Sequence, residues 1–246
     1  MKVLQPFLIA LQFLTRFPVH LSGMPDDRDI GRSLLYYPLI GLLIGLLLTG
    51  LDRLLGGAGT MLAAAVLLAA WVFASGALHL DGLADSADAW VGGMGDRDRT
   101  LAIMKDPYCG PMGVVALLLA LLLKFAALEE LVARGDWVVL VLAPLLARTA
   151  LPALFLTTSY VRPGGLGDVL ARCLPRRAAV MVVLTVLLVL PAFLGWSAVL
   201  PLLAALAAFA GLRALMVRRL GGTTGDTAGA MVEIIEVVVL VTVALT

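Results

Sequence analysis

"TMLAAAVLLAAWVFASGALHLDGLADSADAW" (residues 60–90) sets the terms for the whole chain. About twenty residues pass without a charge, and then Asp81, Asp85 and Asp88 arrive within eight positions. A run of this length and apolarity reads as a membrane-spanning helix. Carboxylates repel one another and are costly near lipid, so three at the end of such a run need something that offsets their charge.

Composition extends the reading to the full length. The 246 residues are 61% hydrophobic and 14% charged, against about 25% charged in a typical soluble domain. Seven candidate spans can be marked, near 34–51, 60–80, 112–132, 137–158, 178–195, 198–217 and 227–246. Each is long enough to cross roughly 30 Å of hydrocarbon at 1.5 Å per residue. The expected fold is all-α: a polytopic membrane helix bundle of about seven transmembrane helices, forming one integral-membrane domain over residues 1–246. The N-terminal "MKVLQPFLIALQFLTRFPVHL" is interrupted by Gln12 and Arg16 and has no small-residue cleavage site. It reads as a short interfacial or re-entrant helix ending near Pro18, not as a signal peptide.

Loop charge gives an orientation. With the N-terminus inside, the inner segments hold fourteen cations: Lys2, Arg16, Arg28, Arg32, Arg97, Arg99, Lys105, Arg162, Arg172, Arg176, Arg177, Arg213, Arg218 and Arg219. The outer segments hold two, Arg53 and Arg134, while Lys124 and Arg148 lie within spans. The bias places every long polar loop on the cytoplasmic face of a bacterial inner membrane. A net charge of +1 without a basic stripe gives no support to a nucleic-acid partner. Cys109 and Cys173 have no metal-ligand spacing and read as reduced thiols. "GLLIG" (Gly41–Gly45) has the GxxxG spacing that lets helices approach closely, or is ordinary membrane glycine.

The candidate chemistry lies in a few stretches. Asp81, Asp85 and Asp88 are spaced i, i+4, i+7 and share one helical stripe if the second span continues through them. Three carboxylates on one face suit Mg²⁺, which takes oxygen ligands and is usually shared with phosphates; a solvated helix cap is the plainer reading. In "DRDRTLAIMKDPYCGPMG" (96–113), Asp96 caps a short helix that stops before Pro107. The Gly-Pro run after it offers a backbone anion nest, with Lys105 in reach of a phosphate, or is a plain loop. In "TTGDTAGAMVEIIE" (223–236), Thr224 or Asp226 caps the last span, Glu233 shares the face of Asp226, and Glu236 lies a turn deeper. Arg148 is about ten residues inside its span, too deep for a surface charge, and should pair with Glu236 or Glu233. Lys124 is expected to snorkel outward. Arg162, in the glycine-rich "SYVRPGGLGD" (159–168), is either a phosphate contact or part of a flexible loop. His79 falls away from the aspartate stripe and reads as structural. The ensemble suggests phosphoryl or phosphodiester transfer at the membrane surface, which relies on positioning and charge neutralisation. An ion-coupled transporter that uses the same acids, and a structural membrane subunit, stand as alternatives.

At these residues the chain resembles the cobalamin synthase family, the adenosylcobinamide-GDP ribazoletransferases. The matching pieces are "FLTRFPV" (13–19), "YYPLIGLLIG" (36–45), "HLDGLADSADAW" (79–90), "IMKDPYCGPMGVVAL" (103–117), "LART" (146–149), "SYVRPGGLG" (159–167) and "TGDTAGAMVEIIE" (224–236). The logic is similar to that of the CDP-alcohol phosphotransferases, but "DGLADSAD" lacks the Ala-Arg that follows Asp-Gly in those enzymes. The resemblance implies the last assembly step of adenosylcobalamin. α-Ribazole or its 5′-phosphate attacks adenosylcobinamide-GDP through its ribose 3′-hydroxyl, GMP leaves, and Mg²⁺ assists. Carried over, Asp81, Asp85, Asp88 and Asp226 would hold the metal. Asp88, Asp226 and Glu233 would be the catalytic acids, one of them orienting or deprotonating the hydroxyl. Arg16, Lys105, Arg148, Arg162 and Glu236 would serve substrate or phosphate binding. The partners implied are the two substrates and the lipid bilayer, with a homo-oligomer or other corrinoid-pathway proteins as further candidates.

Overall fold

A computed structural model describes residues 4–21 and 23–246; Lys2, counted above among the inner cations, lies outside them. The chain is an all-α membrane bundle, and its only β-type pairing among the described residues is one isolated bridge, Tyr160 to Thr223. Twelve α-helices follow in order among the described residues. α1 is Gln5–Leu14, α2 Asp27–Ser33, α3 Tyr37–Leu54, α4 Thr60–Ser75, α5 Leu78–Gly92 and α6 Arg97–Ile103. α7 is Pro111–Arg134, α8 Trp137–Thr157, α9 Leu166–Cys173, α10 Arg176–Leu194, α11 Val199–Leu220 and α12 Gly225–Ala244. The N-terminal helix and the capped helix after Asp96 are both present, and the Asp96 carboxylate accepts from the Arg99 amide at 2.7 Å.

Among the described residues, five helical stretches are long and apolar enough to cross a membrane, and α4 with α5 counts as a sixth only if that bent pair is one span. One of the five, residues 176–220, joins α10 to α11. Its 45 residues would extend about 67 Å if straight, twice the hydrocarbon thickness. Instead the stretch doubles back. Arg176, at the start of α10, donates to the Leu156 carbonyl at 2.6 Å, and Arg213, near the end of α11, donates to Thr157. Both helices therefore start or finish at the C-terminal end of α8, and the reversal lies at Gly195–Ala198. Lipid-facing sides are apolar, as a hydrocarbon solvent demands: Leu118 and Leu122 of α7 and Met181 and Leu188 of α10 are exposed.

The loops sort to two ends. At one, Arg134 donates to the Ala244 carbonyl at 2.9 Å and Arg53 lies 5.8 Å from the Trp137 ring centre. At the other, Arg97 donates to the Leu220 carbonyl at 2.8 Å, Arg219 to that of Trp90 at 2.9 Å, and the Arg16 amide to that of Ala74 at 2.9 Å. The cation-rich loops thus share one end of the bundle, as the charge pattern requires.

The second span departs from expectation. It does not run on through the aspartates. α4 and α5 meet at 88°, because Gly76 and Ala77 both take left-handed backbone, at φ +63° and +57°. Arg16 closes over the bend with its Nη2 3.4 Å from the Gly76 carbonyl. The aspartates keep their spacing because all three lie within α5.

Gly41 and Gly45 settle the meaning of "GLLIG". A Cβ on Gly41 would lie 2.3 Å from the Pro144 carbonyl oxygen, and one on Gly45 2.6 Å from the Val141 Cα. The motif is thus the contact through which α3 packs on α8. Gly41→Ala should lower stability in detergent by about 1–3 kcal/mol, the usual cost of overpacking; an unchanged melting temperature would show that the two helices part freely.

Candidate active site

The site forms where α12 begins. Thr224 caps the helix: its hydroxyl accepts from the Thr227 amide at 3.2 Å, and Thr227 Oγ1 accepts from the Thr224 amide at 2.9 Å. Just before the cap, the Val161 amide donates to the Thr223 carbonyl and the Thr223 amide to that of Ser159, both at 2.9 Å. A Cβ on Gly222 would lie 2.2 Å from the Ser159 carbonyl oxygen, so only glycine permits this pairing. "SYVRPGG" and "TTGD" are thereby joined, and Arg162 meets the Asp226 carboxylate at 2.9 Å. The Tyr160 ring stacks on Phe155 with centres 6.0 Å apart. Its partial burial raises the phenol pKa, and this cause outweighs the lowering by the Gly225 backbone.

α5 packs directly on this start. A Cβ on Gly82 would lie 2.7 Å from the Asp226 carbonyl oxygen. The close approach brings the carboxylates of α5 and α12 into one region. α5 turns away from the spanning direction, and on it partial burial, then Asp81, Asp226 and Asp88, push the Asp85 carboxyl up to about 6, with Arg162 acting the other way.

The four aspartates differ in what they touch. Asp88 accepts from the amides of Gly110 at 2.7 Å and Gly113 at 2.9 Å, so it closes the N-terminal end of α7. The amides read as an anion nest are therefore used by the chain's own carboxylate. Asp226 is held by Arg162. Among the described residues, the carboxylates of Asp81 and Asp85 accept no hydrogen bond and form no ion pair. No three acidic, histidine or cysteine side chains among the described residues stand close enough to ligate a metal together. The donor chemistry still suits Mg²⁺, which needs only one or two carboxylates when substrate phosphates complete its shell.

Asp88→Asn separates capping from metal binding. One amide of α7 would lose its acceptor, and stability should fall by about 1–2 kcal/mol. The same change at Asp81 should leave stability intact or raise it. Equal melting temperatures for the two variants would remove the capping role.

Beside the carboxylates is a cavity of about 180 Å³, bounded by α1, α3, α5, α8, α9 and α12. Its walls include Phe13, Tyr37, Leu151, Phe155 and Leu170, and Asp81, Asp226 and His79 supply its polar groups. These aromatic walls are not legible in the sequence, since Phe13, Tyr37 and Phe155 come from three separate segments.

The remaining candidates lie elsewhere. Glu233, Glu236 and Arg148 are buried, and they join Lys124 in one ionic cluster. Lys124 Nζ lies 2.6 Å from Glu233 Oε2 and also bonds Glu236; Arg148 bonds Glu236, and Trp71 Nε1 donates to it at 3.2 Å. The pairing of Arg148 with Glu236 agrees with its depth. Lys124 departs from expectation: it is 2% exposed and does not snorkel, because the two glutamates offer it a nearer partner than the membrane surface. Glu233 and Glu236 sit two and three turns below Asp226, neutralised by the cluster, so the structure does not bring them or Arg148 to the carboxylates of Asp81, Asp85 and Asp226. Arg16 serves the α4–α5 bend. Lys105 is exposed in the turn after α6, with no ion-pair partner among the described residues.

Fold and site together define a polytopic α-helical membrane protein with an acidic centre and an adjoining cavity at one end of its bundle. The chain belongs to the cobalamin-5-phosphate synthase family, which matches residues 6–244. It is 61% identical over 240 residues to the adenosylcobinamide-GDP ribazoletransferase of Pseudomonas putida strain W619, covering 98% of each chain. It is 59% identical over 244 residues to that of Pseudomonas paraeruginosa strain PA7, covering 99% of each. The corresponding protein of Pseudomonas fluorescens strain Pf0-1 is 58% identical over 240 residues, 98% of this chain and 99% of that one. No solved structure matches the chain.

Proposed function

We propose that this chain joins adenosylcobinamide-GDP to α-ribazole or its 5′-phosphate, forming adenosylcobalamin or its 5′-phosphate and releasing GMP. The observation that carries the reading is the meeting of the α5 and α12 aspartates beside an apolar cavity, in a chain whose relatives bear that enzyme name. Asp81 and Asp85, whose carboxylate oxygens have no partner among the described residues, hold Mg²⁺. The ion, when bound, supplies neutralisation of the diphosphate charge. Asp226 lines the cavity and accepts the proton of the attacking hydroxyl, an acid–base role that needs hydrogen-bond reach to the substrate. Arg162, 2.9 Å from Asp226, brings positive charge to the place where the departing GMP phosphate needs it. Asp88 fixes α7 against the site through its two amide bonds.

The test is direct. Purified protein in detergent is incubated with adenosylcobinamide-GDP, α-ribazole and Mg²⁺, and GMP and the corrinoid product are quantified with and without a chelator. Chelator-sensitive GMP release is the expected result. No GMP from a folded sample overturns the reading, and an ion-coupled transporter predicts that outcome.

The membrane is the bacterial inner membrane, with the acidic centre and the N-terminus facing the cytoplasm. The support is the excess of cations at the end of the bundle that carries the site. Single cysteines at positions 99 and 135 should label from opposite sides of sealed vesicles; labelling from one side refutes this topology.

A further inference from the structure

The structure assigns the cavity beside Asp81 and Asp226 to the benzimidazole ring of the ribazole nucleophile, with His79 as the residue that binds the ring nitrogen. The assignment rests on the proposed transferase activity and goes beyond it by placing one of the two substrates.

Size is the first argument. At about 180 Å³ the cavity is smaller than the roughly 300–1,000 Å³ of pockets that enclose a drug-sized ligand. It admits one ring system and excludes a corrinoid or an intact dinucleotide. Its walls are the second. Phe13 and Tyr37 have ring centres 6.3 Å apart and lie within 28° of parallel, and Leu151 and Phe155 line it from α8. Flat aromatic surfaces of this kind suit a planar, largely apolar ring.

The third argument is a count of polar atoms. His79 is 3% exposed and lines the cavity; its Nδ1 is sealed off without a partner, while its Nε2 stays accessible and bonds no other described residue. Buried polar atoms are ordinarily paired, and an orphan marks a place where a missing partner belongs. An N-linked benzimidazole has one free ring nitrogen, which only accepts. A neutral imidazole with its proton on Nε2 donates to it. Guanine, the competing ring, could give its amine and ring N–H to the aspartates, but its carbonyl and further acceptors would lose their partners against these walls. With the ring against the apolar walls, its ribose is placed toward Asp81 and Asp226, which also line the cavity. The nucleophilic hydroxyl is then on the side of the carboxylates.

Kinetics with both substrates varied test this. His79→Phe should raise KM for α-ribazole about tenfold, the worth of one good hydrogen bond, and leave KM for adenosylcobinamide-GDP within about twofold. Replacing the free ring nitrogen by C–H, as in the indole riboside, should weaken the wild-type enzyme to the same extent and add nothing further in His79→Phe. That lack of additivity is a signature a purely structural histidine does not give. Leu151→Phe, which narrows the cavity without touching His79, should also raise KM for α-ribazole and covers the case in which His79→Phe fails to fold. A rise in KM for adenosylcobinamide-GDP instead would give the cavity to guanine and overturn the assignment, as would unchanged constants for both substrates. Absence of GMP release in the wild type overturns the transferase reading itself, a distinct result.

Discussion

Asp81→Asn and Asp85→Asn should each lower GMP release at least about 10²-fold, the usual cost of removing one group that stabilises charge in a preorganised site. The two side chains are the aspartates that the fold leaves without protein partners. Asp88 is engaged by the amides of Gly110 and Gly113, and Asp226 by Arg162. A carboxylate kept unpaired beside three others is electrostatically unfavourable, so its removal should not harm folding. Asparagine preserves shape, removes one charge and relieves the repulsion that raises the Asp85 carboxyl to about 6. Melting temperature should hold or rise while activity collapses. Magnesium dependence adds a second readout. Protons compete with the cation at a carboxyl whose pKa is raised, so lowering pH toward 6 should increase the Mg²⁺ concentration required, and Asp85→Asn should flatten that dependence. Full turnover in the Asp81→Asn, Asp85→Asn double variant at ordinary Mg²⁺ would end the metal-site hypothesis.

The same residues show what is legible in a sequence of this kind. Helix existence was, because a hydrocarbon solvent enforces long apolar runs whose ends are marked by Pro, Gly and charge: the last span was expected at 227–246 and is found as Gly225–Ala244. The i, i+4, i+7 spacing of the aspartates was legible too, since it depends only on local helical geometry. The 88° break before α5 was not. Gly76 marks a helix end, but Ala77 at φ +57° is a conformation an alanine rarely takes, stabilised here by packing and by Arg16 from a distant segment. Partner choice was hidden for a related reason. Asp88 looked like its neighbours until α7 was placed against it, and Arg162 looked like a loop cation until the Tyr160–Thr223 bridge set it beside Asp226. Depth along a span predicted that Arg148 needs a counter-charge. It could not tell that Lys124 faces the same glutamates, because the facing of α7 is set by contacts with α4, α5 and α12 that no local pattern encodes.

Glu236→Gln should unfold the protein more readily than any substitution at the exposed carboxylates. The buried cluster holds two cations, Lys124 and Arg148, and two anions, Glu233 and Glu236. It is neutral as a whole, and that balance lets four charges remain in the bundle interior. Glu236 is its hub, accepting from Lys124 and Trp71 and ion-paired with Arg148, on three different helices, and fixing α4, α7 and α8 around α12. Glutamine keeps the shape but leaves one uncompensated cation where Lys124 and Arg148 are 2% and 0% exposed. Breaking a buried pair in this way costs about 3–5 kcal/mol. The double replacement Arg148→Met, Glu236→Met removes one charge of each sign and leaves Lys124 with Glu233 at 2.6 Å. It should recover most of the loss, since an apolar pair of similar volume often replaces a buried ion pair at little cost. Thermal unfolding of the wild type, Arg148→Met, Glu236→Met and the double variant in one detergent closes the cycle. Additive losses, with the double variant worse than either single one, would show that these charges act independently and that neutrality of the cluster is not what holds the four helices together.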